Sequence, residues 1–318
     1  MLQYLWRRLL ALLPTALVPI IFIFFLVRLA PGDPARNILG DYATEEDVTK
    51  LRHELGLDAS VLMQFWEFIT GALRGDLGTS YYMFMPVREV IPPYAAVTLQ
   101  IGAMSMIVAL VLGVIVGLGA AFGRNRWYGR LANLYSVAGI SVPSFFVAIL
   151  LIVIFGVRLG WFEVGMYVPM QDGVLEHFRS LTLPALALGI GEAAFIGRVV
   201  RGALLDVMAE PFVTTARSLG VPDGRIIRVH VMRLVALQVV TVMGLFAATL
   251  VSGSVIMENI YGIPGMGSLL LNAVTGRDYY LIQGIVILTG MFIIMFNLIV
   301  DLLYALIDPR VQFGKVAS

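Results

Sequence analysis

The chain has 318 residues, of which 59% are hydrophobic and 14% charged, and its mean hydropathy is +0.89. That balance excludes an ordinary water-soluble domain and makes lipid the solvent for most of the chain. A formal net charge of +1 implies no nucleic-acid surface, and the lack of cysteine excludes disulfides, thiolate metal sites and thiol nucleophiles.

Arg7 and Arg8 precede an uncharged run from Leu9 to Val27. This run matches the roughly 20 residues a bilayer crossing needs and exceeds the core of a secretory signal, about 7 to 15 residues. It ends in Val27-Arg28-Leu29-Ala30-Pro31 without a small-residue cleavage pattern, so a retained first membrane helix is expected. The polar segment 31–93 follows, rich in acids such as Asp41, Glu45, Glu46, Asp47, Glu54 and Asp58, and is read as an external domain. Within it Thr44 is suited to cap a short amphipathic helix running to Leu57 and closing at Gly56, and a second helix is expected near Val61 to Leu73.

Uncharged runs at Ala95 to Phe122, Leu131 to Val157, Leu234 to Met257 and Tyr279 to Val300 each suffice to cross the hydrocarbon core. A further run, Leu181 to Val207, is interrupted by Glu192, Arg198 and Arg201 and spans only if those side chains face protein or water. The expectation is an all-α membrane protein with six transmembrane helices and a helical external segment between helices 1 and 2. Gly113, Gly117 and Gly119 offer a small-residue face in the second helix. Arg124, Arg126 and Arg130, and six arginines from Arg198 to Arg233, put their connections and both termini in the cytoplasm by the positive-inside rule. The alternate connections carry Glu163, Asp172 and Glu176, or Glu258 and Asp278, and are external. The organisation is then 1–30 as cytoplasmic end and first helix, 31–93 external, 94–309 as a five-helix core with a cytoplasmic loop at about 208–233, and 310–318 as a cytoplasmic tail. Trp6, Trp127, Tyr128, Trp161 and Tyr279 fall near helix ends as interfacial anchors.

No chemistry of its own is expected from the chain. Gly314-Lys315 lacks the upstream glycine of a phosphate-cradling loop and is followed by Val316. The three histidines, His53, His177 and His230, are split across the membrane, and His53-Glu54 has Leu57 where a zinc-binding helix needs its second histidine. Ser252-Gly253-Ser254 lies in an apolar run with no base. A transporter built on this chain must therefore draw its energy from elsewhere.

The segment Glu210 to Arg233 is the informative loop. Pro211 suits a first helical turn, Thr214 to Leu219 continue the helix, Gly220 permits a left-handed stop, and Pro222 prevents extension. A short helix between two spans can press into a groove on a cytoplasmic protein and transmit its rigid-body motion. This loop resembles the coupling loop, or EAA motif, of ABC importer permeases for dipeptides, oligopeptides and nickel, with Thr215-Ala216-Arg217-x-x-Gly220 and the basic continuation Arg225, His230 and Arg233. Thr214 replaces the usual glutamate and Gln238 stands at a common proline. The resemblance extends along nearly the whole chain, through Arg28-Leu-Ala-Pro-Gly-Asp-Pro34, Glu54-Leu-Gly-Leu-Asp58, Gly75-Asp-Leu-Gly-Thr-Ser80, Val142-Pro-Ser-Phe145, Gly262-Ile-Pro-Gly-Met-Gly267, Arg277-Asp-Tyr279 and Asp301 to Arg310.

The resemblance implies a type I ABC importer permease of the bacterial inner membrane. It implies pairing with a second homologous permease, two ATPase subunits that bind ATP and Mg, and an external substrate-binding protein. This chain would bind no cofactor and catalyse nothing, and Thr214, Thr215, Ala216, Arg217, Gly220, Arg225 and His230 would couple ATPase motion to the membrane helices. The implied cargo spans dipeptides, longer peptides, nickel chelates, glutathione and opine-like solutes.

Glu192 departs from the small or apolar residue usual in that family. A central charge costs about 2.5–3.5 kcal/mol on insertion scales, so it requires a polar partner or a wet cavity. It is read as lining the translocation pathway and favouring cationic solutes, against an interhelical hydrogen bond or a protonated structural acid. A different class, an ion-gradient-driven secondary transporter or channel with Glu192 as coupling carboxylate, would carry solute without any ATPase. Arg198 and Arg201 share one helix face and suit either a partner subunit or lipid headgroups, as does Asp301. Asp308-Pro309 suits a helix terminus, and Gly262 to Gly267 an external re-entrant or capping loop.

Overall fold

The computed structural model describes residues 2–29, 32–40, 42–123 and 125–307. Arg124, Asp308-Pro309, Arg310 and the tail 310–318 lie outside them. Helices dominate the described residues. Among the described residues the one β-type pairing is an isolated bridge between Thr79 and Pro86. The chain divides into two compact units, Met1–Val97 with Pro264–Ile294, and Thr98–Ile263 with Met295–Ser318.

In the first unit α1 (Leu2–Leu29) is followed by three short helices, α2 (Pro34–Leu39), α3 (Glu45–Glu54) and α4 (Val61–Leu73). Each is capped by its sequence. Asp33 Oδ1 accepts from the Ala35 N–H at 3.0 Å, Thr44 Oγ1 from Asp47 N–H at 3.2 Å, and Ser60 Oγ from Met63 N–H at 3.3 Å. The Asp33 carboxylate also holds Arg52 in an ion pair, and that hydrogen bond raises the guanidinium above its ordinary value. α3 ends at Glu54, with the expected Gly56 at φ +69° just beyond it. Against α1, α4 packs Phe65 and Phe68 on Phe24, and Arg28 Nε donates to Gln64 Oε1 at 2.9 Å.

The remainder of this unit is the N-terminal part of α5 (Val87–Phe122), α12 (Met266–Thr275) and the first part of α13 (Tyr279–Ile307), packed through Val87, Ile91, Leu269, Leu281 and Ile285. Asp278 joins the polar segment to this core. Its carboxylate is fully buried and accepts from Ser80 Oγ at 2.5 Å, Tyr82 N–H at 3.2 Å and Leu281 N–H at 3.1 Å, the last as a cap on α13. The nearby phenol of Tyr81 is pushed well up from its ordinary value by burial. The Gly262 to Gly267 region is not a plain loop: its C-terminal part enters α12, whose Met266 and Gly267 are buried.

The second unit holds the rest of α5, then α6 (Trp127–Ala138), α7 (Ser144–Leu151), α8 (Val174–Met208), α9 (Pro211–Ser218), α10 (Asp223–Ile226), α11 (Met232–Tyr261) and the end of α13. Among the described residues four helical stretches are long and apolar enough to cross a membrane: Val87–Phe122, Val174–Met208, Asp223–Leu250 and Tyr279–Tyr304. The expected continuous third span, Leu131 to Val157, is instead a broken pair, Trp127–Ser141 and Ser144–Arg158, bent by 108°. Proline explains the break. Pro143 has no N–H for the helical ladder and forces its neighbour out of the helical region, and Val142 sits at φ −89°, ψ 118°.

The glycine face of α5 resolves into two directions. A Cβ on Gly113 would lie 2.6 Å from Ile196 Cβ and one on Gly117 2.5 Å from Val200 Cβ, so both glycines admit α8 to close range. Gly119 instead faces Ala132 of α6 with ordinary clearance. His177 is buried at the start of α8, with Nδ1 2.7 Å from the Val168 carbonyl oxygen and Nε2 2.8 Å from Gln100 Oε1.

Candidate functional site

Two features of the second unit carry functional geometry. The first is the segment between α8 and α11. Glu210 takes the extended N-cap conformation and Pro211 begins α9, where its missing N–H costs nothing. At the other end, Gly220 N–H donates to Arg217 O at 2.9 Å and Val221 N–H to Ala216 O at 3.0 Å. This pair of bonds is a Schellman closure, and Gly220 stands at φ +77°, a left-handed conformation that side chains oppose.

One face of α9 is anchored and the other is free. Val213 is fully buried, and Ala216 and Val221 pack on the cluster of Val200, Ala203, Leu204, Ile226, Val231 and Val235 contributed by α8, α10, the turn joining α10 to α11, and α11. Phe212, Thr214, Thr215, Arg217, Ser218 and Leu219 are exposed. Arg217 Nε donates to Asp223 Oδ1 at 2.7 Å, tying the free face to α10. Arg225 is exposed on α10, and exposed His230 meets the Phe212 ring edge-on at 6.4 Å. The structure thus brings Thr214, Thr215, Arg217, Arg225 and His230 onto one exposed segment and separates from them Ala216, which is an anchor, and Gly220, which is a stop.

The second feature is a cavity of about 530 Å³ framed by the bend of α6 and α7, by α8 and by α11. Leu188, Gly191, Glu192 and Phe195 line it from one face of α8, and Val242, Phe246, Thr249 and Gly253 from one face of α11, both at helical spacing. Ser144 begins α7 at its wall. The Tyr135 hydroxyl donates to the Ile190 carbonyl at 2.5 Å, and Gly139 allows the bend to approach Ala194, so the broken helix is fixed against α8 beside Glu192. Further along α8, Arg198 is exposed, while Arg201 has a buried Nε without a hydrogen-bond partner among the described residues.

The chain matches the family described as binding-protein-dependent transport system inner membrane component over residues 81–313, and that family's N-terminal component over residues 1–83. It belongs to this family. The glutathione transport system permease protein GsiC of Salmonella paratyphi A is 40% identical over 313 residues, covering 98% of this chain and all of the relative. A Brucella abortus protein provisionally named as a peptide transport system permease is 36% identical over 307 residues, covering 96% of this chain and 98% of its own. Among solved structures, an inward-facing form of the MetNI methionine ABC transporter superposes with a TM-score of 0.55 at 18% identity, covering 69% of this chain and 96% of the other. The fold is that of a type I importer permease. The chain is a multi-pass membrane protein and a permease subunit of a binding-protein-dependent ABC importer.

Sequence reasoning about this permease located α9 and its stop but missed Asp223 as the partner of Arg217, because a six-residue separation across Gly220 and Pro222 follows no helical period. It also missed Thr249 and Ser144, small polar residues in apolar runs whose shared wall exists only after three elements converge.

Proposed function

We propose that this subunit forms half of an ATP-driven import pathway for peptides or a peptide-like solute such as glutathione. The names of its relatives, at 36–40% identity over nearly full length, support that cargo class. Two ATPase subunits carrying ATP and Mg, a second homologous permease and an external binding protein complete the assembly, and hydrolysis belongs to the ATPases. Both termini and the 208–233 loop face the cytoplasm, segment 31–93 is external, and 94–309 forms the permease core with 310–318 as its tail. α9 is the coupling helix: Thr214, Thr215, Arg217, Arg225 and His230 meet the ATPase, while Ala216 and Gly220 hold the helix in position. Glu192 lines the translocation pathway.

The observation that carries the coupling assignment is the two-sided character of α9. Val213 and Ala216 fix it to the α8–α11 core, so a displacement applied to its polar face moves membrane helices rather than a loose loop. The test is affinity purification of the tagged chain in mild detergent, with ATPase assay of wild-type and Arg217→Glu complexes. Arg217 and Asp223 are both substantially exposed, so their pair contributes only about 0.2–1 kcal/mol and the variant should fold. Co-purification of a second permease and ATPases, with Arg217→Glu uncoupled or dissociated, is expected. Solute transport by the isolated chain on an ion gradient would overturn the assignment.

A further inference from the structure

Among the described residues Glu192 is the one ionisable side chain lining the α6–α7, α8 and α11 cavity. It is half-buried, and among the described residues no cation lies within ion-pair distance of it. The nearest cations along its own helix, Arg198 and Arg201, are six and nine residues away; Arg198 is exposed and neither contributes to the cavity wall. The rest of the wall is apolar or small and uncharged, with Thr249 and Ser144 as its hydroxyl groups. A carboxylate in a membrane-spanning helix is expensive to insert and is ordinarily paired or wetted. Here it opens onto a space of about 530 Å³, within the size range of small-molecule sites.

We infer that Glu192 is a transient counter-charge for the cargo: the cavity takes the ammonium or guanidinium group of a solute in passage. This rests on the pathway assignment above and deepens it by naming the charge of the group that the pathway accepts. A single carboxylate with no resident arginine or lysine suits passage better than storage, since a pathway site must bind well enough to admit its solute and weakly enough to release it. The flanking glycines serve the same end. Gly191 has open space where a side chain would project, and at Gly253 a Cβ would meet only Leu188 Cδ2 at 3.4 Å, so the solute group can approach the helix backbones beside the carboxylate. The apolar wall leaves the carboxylate as the main selective element, because a charge-assisted contact contributes more than a neutral one.

The experiment exploits the lack of native cysteine in this chain. Thr249→Cys in the assembled transporter is reacted with a thiol reagent, and its labelling rate is followed in the presence of four probes. These are alanine amide, which carries an α-ammonium; N-acetyl-lysine amide, which carries only an ε-ammonium; N-acetyl-alanine amide, which is neutral; and N-acetyl-alanine, which is anionic. Cationic probes should protect the introduced thiol at concentrations roughly 10- to 100-fold lower than the neutral one, as expected for one charge-assisted contact. Glu192→Gln should abolish that advantage and Glu192→Asp should keep part of it. Stronger protection by alanine amide identifies the peptide α-ammonium as the recognised group, and stronger protection by N-acetyl-lysine amide identifies a cationic side chain. Equal protection by neutral and cationic probes, or a cationic advantage that survives Glu192→Gln, overturns the inference. Failure of the pathway assignment has a separate signature: a bulky label on the introduced thiol that leaves solute uptake by the reconstituted complex unchanged.

Discussion

Replacing Gly117 by alanine adds one methyl group where α5 and α8 touch. That methyl would stand 2.5 Å from Val200 Cβ and 2.8 Å from the Gly197 carbonyl oxygen, against the roughly 3.5–4.0 Å at which carbon atoms rest. Both obstacles are stiff, a branched Cβ and a backbone oxygen, so α8 must retreat by about 1 Å or the methyl remains compressed. Overpacking of this kind costs about 1–3 kcal/mol. Gly119→Ala is the matched control. It makes the same chemical change in the same helix, and its methyl meets only Ala132 Cβ at 3.8 Å, so any general gain from replacing a helical glycine is common to both variants. The comparison thus isolates the α5–α8 contact. At about 2–4 °C per kcal/mol, the scale for chains of about 150–250 residues, Gly117→Ala should melt roughly 2–12 °C below Gly119→Ala in a detergent thermal-shift measurement. Gly113→Ala, whose methyl would meet Ile196, should behave like Gly117→Ala, and the double variant should lose less than the sum because the first retreat of α8 relieves the second. Coincident melting of Gly117→Ala and Gly119→Ala would refute the close-approach account.

Two further substitutions probe buried polar groups of the first unit. Asp278→Ala removes the acceptor shared by Ser80, Tyr82 and Leu281 and should cost about 1–3 kcal/mol, with hydrogen exchange accelerated at residues 80–83 and at the start of α13; unchanged exchange there would separate Asp278 from the ordering of that segment. Gln283 is fully buried in α13, and its amide nitrogen and oxygen both lack hydrogen-bond partners among the described residues. Gln283→Leu should therefore raise the melting temperature of the isolated chain through relief of about 1–3 kcal/mol of unmet polarity, and a lowered melting temperature would mean that the amide is satisfied in the native protein.

The sequence alone determined the features that depend on short stretches of chain. Length and apolarity marked the membrane-crossing segments, because a span needs only enough consecutive apolar residues. Thr44, Pro211 and Gly220 placed helix ends within a residue or two, because capping is settled by neighbours in the chain. Family membership was legible for a related reason: its motifs recur in order along nearly the whole length.

The bend at Val142-Pro143 was present in the letters, yet an uncharged run reads as one span whether straight or broken, and only packing against α8 and α11 made that bend the wall of a cavity. Asp278 gave no hint of Ser80, which is 198 positions away, and Thr98 Oγ1 likewise finds Glu258 Oε1 at 2.7 Å across 160 positions. Such pairs follow no period, since they are set by which helices the hydrophobic faces bring together. Glu192 illustrates the division most clearly. Its cost in lipid is written in the sequence, whereas the uncharged cavity it opens onto, and hence what it can hold, exists only once residues from three separate helical elements meet.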